Sequence, residues 1–345
     1  MKDAIHRFFD RLWYGDGMVF GFLLWPLGWL VRFITVRKRN QFLDQRRESV
    51  RLNVPVIVVG NITVGGTGKT PLVVWLVQQL QQRGYRPGIV SRGYGGRPPH
   101  FPYLIQSADV ASVAGDEPLM LARRTGVPVV IDPRRANAAQ ALLDQTDCDI
   151  IISDDGLQHY ALGRSYEIVV LDGSRGIGNG RLLPAGPLRE PVQRLHSVDA
   201  VVVNGEPRHS SFQGSALTHR FTMTLAPVQL RSILDDQPVP ASQCTDRQWI
   251  AVAGIGNPQR FFDTLQAMDL VFEPRSFPDH HAYSLADFAG LDQASVLTTE
   301  KDAVKLRTLG INGTYLAVEA RIQPELIDVI LASLERFKHR PHYRY

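Results

Sequence analysis

Residues 60–71 read Gly60-Asn61-Ile62-Thr63-Val64-Gly65-Gly66-Thr67-Gly68-Lys69-Thr70-Pro71. An apolar run, Val54 to Val59, leads into this stretch, and an apolar pattern of helical spacing, Leu72 to Leu80, leads out of it. That is the strand–loop–helix setting of a phosphate-binding loop. Glycines let backbone N–H groups turn inward and approach phosphate oxygens closely. The following helix opens at the anion, where its unpaired N–H groups and its dipole favour negative charge. Lys69 is placed to reach the β- and γ-phosphates of a nucleotide, and the Thr70 hydroxyl to ligate Mg²⁺. The usual spacing starts with glycine five positions before the Gly-Lys pair; here that position is Thr63, so Gly65 and Gly66 supply the turn. Asn61, Thr63, Gly65, Gly66, Thr67, Gly68, Lys69 and Thr70 are therefore the nucleotide-binding candidates. Pro71 falls in the first turn of the helix, where a missing N–H is tolerated.

Outward from the loop, short apolar runs alternate with helical patterns. Strands are expected at 54–60, 87–91, 127–131, 149–153, 167–172 and 200–204, and helices at 71–83, 117–125 and 136–144. This alternation predicts an α/β fold of the phosphate-loop NTPase type, a mostly parallel sheet with helices on both faces. Ligands of such sheets sit at the carboxyl ends of the strands. Residues 207–247 are polar, with short alternating strands at 221–225 and 228–233, and read as a β-rich link. A smaller α/β lobe follows over 248–345, with helices at 259–268, 302–309 and 324–337 and strands at 249–254, 296–298 and 315–318. The core then spans 51–206, and residues 1–50 form an N-terminal anchor with a basic linker. The last eight residues look frayed.

The anchor reading rests on Met18 to Val36, which is strongly apolar, has no acidic residue, and carries Arg32 as its one charge. Arg37, Lys38, Arg39, Arg46 and Arg47 follow. No cleavage signature follows the stretch. It either spans a bilayer at a tilt or lies in the interface, with Trp13, Trp25 and Trp29 at the water–lipid boundary and a kink at Pro26. The basic residues hold the remainder in the cytoplasm. The net charge of +4 and the pI of about 9.1 suit an anionic substrate, a nucleotide or a lipid surface, and do not by themselves argue for nucleic acid. The two cysteines, Cys148 and Cys244, have no metal-type spacing and read as buried thiols.

Several acids and bases fall near the expected strand ends. Ile150 to Ser153 runs into Asp154 and Asp155, and a carboxylate at such a neighbouring strand end holds Mg²⁺ in this loop class. Adjacent acids on an extended chain face opposite ways, so one can serve the metal while the other orients Lys69 or His159. Asp116 and Glu117 open a helix, where acids are ordinary caps, yet phosphoryl transfer to an alcohol needs a carboxylate to accept a proton. The pair His280 and His281 follows Asp279; a histidine steering a carboxylate base is the better reading than a metal site. Arg181 and Arg189, with Arg134 and Arg135 as further candidates, could grip a second phosphate, and Arg92 falls at a strand end.

Taken in order, the loop, Ser91-Arg92-Gly93-Tyr94, Gly115-Asp116-Glu117-Pro118, Ser153 to His159, Leu183 to Glu190, Phe277 to His281 and Thr298 to Ala303 resemble the tetraacyldisaccharide 4′-kinase (lipid A 4′-kinase) family. Thr63 fits as well, because that family also lacks the leading glycine. The resemblance implies ATP- and Mg²⁺-dependent phosphorylation of the 4′-hydroxyl of an acylated glucosamine disaccharide 1-phosphate. It places the reaction at the cytoplasmic face of a Gram-negative inner membrane. By similarity Asp116 is the base, assisted by His280 or His281. Lys69 and Asp155 join the catalytic set, and Mg²⁺ falls among Thr70, Glu117, Asp154 and Asp155. Arg92, Arg181, Arg189 and His281 are implied at the acceptor. The expected partners are the lipid substrate and the membrane surface, with no nucleic acid and no obligate protein partner. A membrane-tethered NTPase that only hydrolyses nucleotide is the rival reading.

Overall fold

The computed structural model describes residues 9, 11–15, 22–212, 219–240, 247–339 and 343. Residues 18–21 of the apolar stretch, Cys244 and most of the C-terminal tail lie outside the described residues. Cys148 is half-buried rather than buried.

The sheet grows outward from its most buried strand. Val56–Gly60 (β1) is apolar throughout and buried at every position, so it needs cover on both faces. One face is covered by Leu72 to Leu80 of helix Lys69–Gln81 and by Leu326 to Leu334 of the C-terminal helix Glu325–His339, the other by Ala138 to Leu142. Beside β1 lie Ile150–Asp154 (β5) and Tyr166–Asp172 (β6), both parallel to it. On the β5 side the sheet continues through Pro87–Ser91 (β2), Val129–Ile131 (β4) and Tyr103–Leu104 (β3). On the β6 side come Ala200–Asn204 (β7) and Arg220–Ser232 (β8). The helices between them are Lys69–Gln81 (α2), Asp116–Thr125 (α3) and Arg135–Gln145 (α4), after an N-terminal helix Trp25–Leu43 (α1).

The same hydrogen-bonded sheet runs on into the C-terminal segment. Thr314–Ile322 (β12) pairs antiparallel with β8 over nine positions, with a bulge between Ala317 and Val318. Val296–Thr299 (β11), Trp249–Ala253 (β9) and Phe272–Ser276 (β10) follow in parallel. The helices here are Pro258–Ala267 (α5) and Glu300–Thr308 (α6). Alternation along β9 decides their sides: Trp249, Ala251 and Ala253 meet Phe261 and Leu265 of α5, and Val252 meets Ala303 and Leu306 of α6.

Two expectations change. The strands at 221–225 and 228–233 are one continuous strand, because Pro227 is accommodated where β8 meets the β12 bulge. Pro26 does not kink α1; it stands in the first turn, where its missing N–H breaks no bond. Helix α1 docks by a narrow stripe. Gly28 passes Leu182 and Ala185, and Phe42 meets the Tyr160 ring at 6.0 Å. Its outer face leaves Trp29, Leu30, Phe33 and Ile34 more than half exposed. Trp13 turns inward and donates to the Pro184 carbonyl at 3.0 Å. Among the described residues no helix is long and apolar enough to cross a membrane.

A buried ion network fixes the loop that carries Arg189. Glu167 on β6 accepts from Arg164 at 3.0 Å and from Arg194, whose Nε lies 3.3 Å from Glu190. Burial pushes the Glu167 carboxyl up, but Arg194 and Arg164 outweigh it and hold the group below its ordinary value of 4.5. Its stabilisation is therefore complete above that value and disappears as pH falls through the lower folded one. Glu167→Gln leaves two buried guanidiniums short of charge and should cost about 3–5 kcal/mol at pH 7, read as a lower urea midpoint. The gap between variant and wild type should narrow on acidification below about pH 4.5.

Candidate active site

The carboxyl ends of β1, β2, β5, β7, β9 and β11 open onto one cleft of about 960 Å³. β1 delivers the glycine loop. Gly65 and Gly68 adopt φ of +95° and +92°, a region L side chains rarely enter. At Gly68 a Cβ would also stand 2.3 Å from the Asn204 side-chain nitrogen. Asn204, at the end of β7, donates to the Thr67 carbonyl at 3.0 Å and accepts from Arg260 of α5 at 2.6 Å. Gly65 to Thr70 line the cleft. Asn61 and Thr63 are buried behind it, Asn61 reaching the Gly65 carbonyl at 3.4 Å and Thr63 pairing with Leu188.

The two strand-end acids separate. Asp155 has φ +47°, left-handed for a non-glycine residue. Its carboxylate lies 3.5 Å from Lys69 Nζ and 3.2 Å from Arg189 Nη1. Burial works to raise Asp155, yet Lys69 and Arg189 hold it below the ordinary carboxylate range. Asp154 is buried; one oxygen accepts from Ser91 Oγ at 3.2 Å and the other has no hydrogen-bond partner. Burial, then Glu117 and Asp155, push Asp154 up to about 7. A buried acid with an open oxygen and further acids beside it suits a hard divalent cation. Asp154, Glu117 and Thr70 line the cleft together and fit Mg²⁺, while Asp155 already faces two cations.

Across the cleft stand Asp116 and His280. Asp116 is the first residue of α3, after Gly115 with φ +86°. His280, in the loop after β10, has φ +59°, and its Nδ1 lies 3.0 Å from Asp116 Oδ2. Left-handed backbone at a histidine is strained and persists where its surroundings hold it. The Tyr94 ring meets the imidazole edge-on at 5.0 Å. Burial opposes the Asp116 charge, but the His280 hydrogen bond, Lys301 and Lys305 overcome it and hold the carboxyl at about 2. The bond to Asp116 raises His280 above its ordinary value, against burial and Lys301. Lys301 Nζ reaches Glu117 at 2.8 Å and Asp279 at 3.2 Å.

The remaining candidates divide. Arg92 and Arg189 line the cleft. Arg135 is buried, lines it too, and donates to the Asp132 carbonyl at 2.9 Å. His159 also lines it; burial, then Arg135, Lys38 and Arg92, lower it to about 3, so it is neutral at pH 7. Arg181 does not line the cleft, its guanidinium lying over the Trp25 ring at 4.1 Å. His281 points away, stacked on Phe277 at 4.7 Å and 3.4 Å from Asp287. Sequence reasoning assigned no role to Lys301, Asn204 or Arg260, and gave Lys38 only a place among the basic residues after the apolar stretch; all four line the cleft. One signal was available for Lys301: a cation in the first turn of a helix faces the positive end of the dipole, and so needs another reason to be there.

The family model for tetraacyldisaccharide-1-P 4′-kinase matches residues 20–335. The tetraacyldisaccharide 4′-kinase of Methylobacillus flagellatus is 46% identical over 343 residues, 99% of each chain. That of Pseudomonas aeruginosa is 45% identical over 320 residues, 92% of this chain and 94% of its own. Among solved structures, the "apo" form of LpxK from Aquifex aeolicus in complex with ATP superposes with a TM-score of 0.78 at 29% identity, covering 92% of this chain and all of that one. On the family model and these relatives, the chain belongs to the tetraacyldisaccharide-1-P 4′-kinase family.

Proposed function

We propose that this chain transfers the γ-phosphate of ATP to the 4′-hydroxyl of a tetraacylated glucosamine disaccharide 1-phosphate, at the cytoplasmic face of the bacterial inner membrane. The observation that carries the reading is the Asp116–His280 pair, 3.0 Å apart, opening onto the same cleft as the glycine loop. A loop for phosphates and a base for a hydroxyl are the two things an alcohol kinase needs. The hydrolytic alternative draws no support from the family.

The roles follow from the geometry. Loop N–H groups and Lys69 hold the β- and γ-phosphates, and Asp155 keeps the Lys69 ammonium aimed at the loop. Mg²⁺, when bound by Thr70, Asp154 and Glu117, neutralises phosphate charge. The acceptor oxygen attacks phosphorus as the bond from phosphorus to the β-phosphate oxygen breaks; the electron pair leaves with ADP, and Asp116 takes the hydroxyl proton. The transition state is loose, so the proton moves late, when the oxygen already binds phosphorus and has become acidic. A carboxylate held at about 2 is then a sufficient acceptor. Arg92 and Arg189 are among the cations in the cleft available to the acceptor's phosphate, whereas Arg181 and His281 stand outside it. The segments 51–206 and 248–345 serve as two lobes around it, joined through 207–247.

The acceptor's acyl chains resist leaving a bilayer, at about 0.8 kcal/mol per CH₂. The outer face of α1 suits an enzyme that works at that boundary. No nucleic acid and no obligate protein partner is required.

With γ-labelled ATP, Mg²⁺ and vesicle-borne acceptor, label should appear on the disaccharide lipid; label released only as free phosphate would overturn the transfer reading. Asp116→Ala should lower kcat on the order of 10²- to 10⁴-fold while nucleotide still binds. Loss of nucleotide affinity instead would move Asp116 to the metal. Trp29→Ser with Phe33→Ser, both on the exposed face of α1, should weaken co-sedimentation with anionic vesicles by roughly tenfold or more without altering the folded spectrum. Unchanged sedimentation would place lipid contact elsewhere.

A further inference from the structure

Lys301 is the second residue of α6, and its side chain is 15% exposed. Its Nζ has three polar neighbours: Glu117 Oε1 at 2.8 Å, Asp279 Oδ1 at 3.2 Å and His280 Nε2 at 3.4 Å. An ammonium has three protons and no lone pair, so each neighbour must accept. Two carboxylates do so in their ordinary state. The third contact constrains the imidazole, because Nε2 can accept only without a hydrogen of its own. The single ring proton then sits on Nδ1, where it is donated to Asp116 Oδ2 at 3.0 Å. The opposite tautomer fails at both ends. It sets Nε2–H against the ammonium protons, and it leaves the Nδ1 lone pair facing a carboxylate oxygen.

We propose that Lys301 is the positioning residue that fixes His280 as the Nδ1–H tautomer and so aims its proton at Asp116. Free histidine favours the other tautomer, so the site must impose this one. The left-handed backbone of His280, at φ +59°, and the Tyr94 ring at 5.0 Å hold the imidazole in place, but neither chooses between its nitrogens. Asp116, which can only accept, calls for a proton on Nδ1; Lys301 from α6 adds the demand that Nε2 carry none, against the doubly protonated ring that Asp116 alone would favour, while also gripping Glu117 on α3.

The kinetic part of this inference rests on the proposed role of Asp116; the tautomer can be read without any turnover. In the full chain labelled with ¹⁵N in the histidine rings, and assigned with His280→Gln, long-range ¹H–¹⁵N spectra should show Nδ1 protonated and Nε2 bare. A protonated Nε2 in the wild-type protein overturns the proposal, whatever the variants do. Lys301→Met should release the ring to the Nε2–H form or to the doubly protonated form, and Lys301→Arg should restore part of the wild-type pattern. An unchanged ring in folded Lys301→Met also overturns it. In the transfer assay Lys301→Met should lower kcat by roughly 10- to 100-fold with little change in KM for ATP, and Lys301→Arg should recover part of the loss. A raised KM at unchanged kcat would make Lys301 a binding residue instead. Absence of lipid phosphorylation by the wild-type protein would sink the kinase reading and leave the tautomer assignment standing.

Discussion

A polyphosphate can leave bulk water only where fixed donors and positive charge replace its hydration. On the proposed reading of this chain, that replacement depends on the turn between β1 and α2. β1 is buried on both faces, so its position is set by the core and cannot adjust to a ligand. The turn must therefore present its N–H groups at once, and two left-handed glycines allow it. Asn204 closes the arrangement from behind: it bonds the Thr67 carbonyl and leaves no room for a side chain at Gly68. Arg260 bonds the same asparagine, so the far end of the sheet bears on the loop as well.

Among the described residues, each acid lining the cleft faces a cation, with one exception. Asp155 faces Lys69 and Arg189, Glu117 and Asp279 face Lys301, and Asp116 faces His280 with Lys305 at 3.8 Å. The exception is Asp154, buried, with one oxygen that has no hydrogen-bond partner. The imbalance is local and lies beside the helix start that carries Thr70. On the proposed reading, a cation supplied with the nucleotide would correct it, which would make the same acids unfavourable in isolation and useful when loaded.

The apolar N-terminal helix is joined to this cleft rather than merely attached to the protein. Lys38 of α1 lines the cleft and donates to the Gln158 carbonyl at 3.1 Å, and the Gln158 amide reaches the Asn61 carbonyl at 3.1 Å. Two hydrogen-bonding steps therefore separate the exposed aromatic face of α1 from the foot of the glycine loop. A substrate with its chains in a bilayer and its sugar in the cleft needs that proximity.

Much of this was legible in the residues alone. Apolar runs of strand length alternating with helical periods specified a parallel α/β sheet, because each strand so patterned must be covered twice. Gly65 to Thr70 announced a phosphate loop, because few other uses require that glycine spacing before a lysine. Asp116, Asp154 and Asp155 could be named because strand ends and helix starts are readable from local pattern. What local pattern does not carry is which distant groups meet. His280 and His281 are neighbours in sequence, yet a left-handed φ turns one to Asp116, 164 residues away, and the other into an aromatic cluster. Arg181 and Arg189 share one loop, but one lies over Trp25 and the other pairs with Asp155. The β10 strand and the long β8–β12 pairing escaped notice because exposed, polar strands lack the apolar signal and are defined by their partners. The chain's own chemistry thus determined the fold class and the phosphate loop; the joining of α3, the His280 loop and α6 around one imidazole was decided only by tertiary packing, since contacts between residues so far apart depend on the whole sheet being assembled.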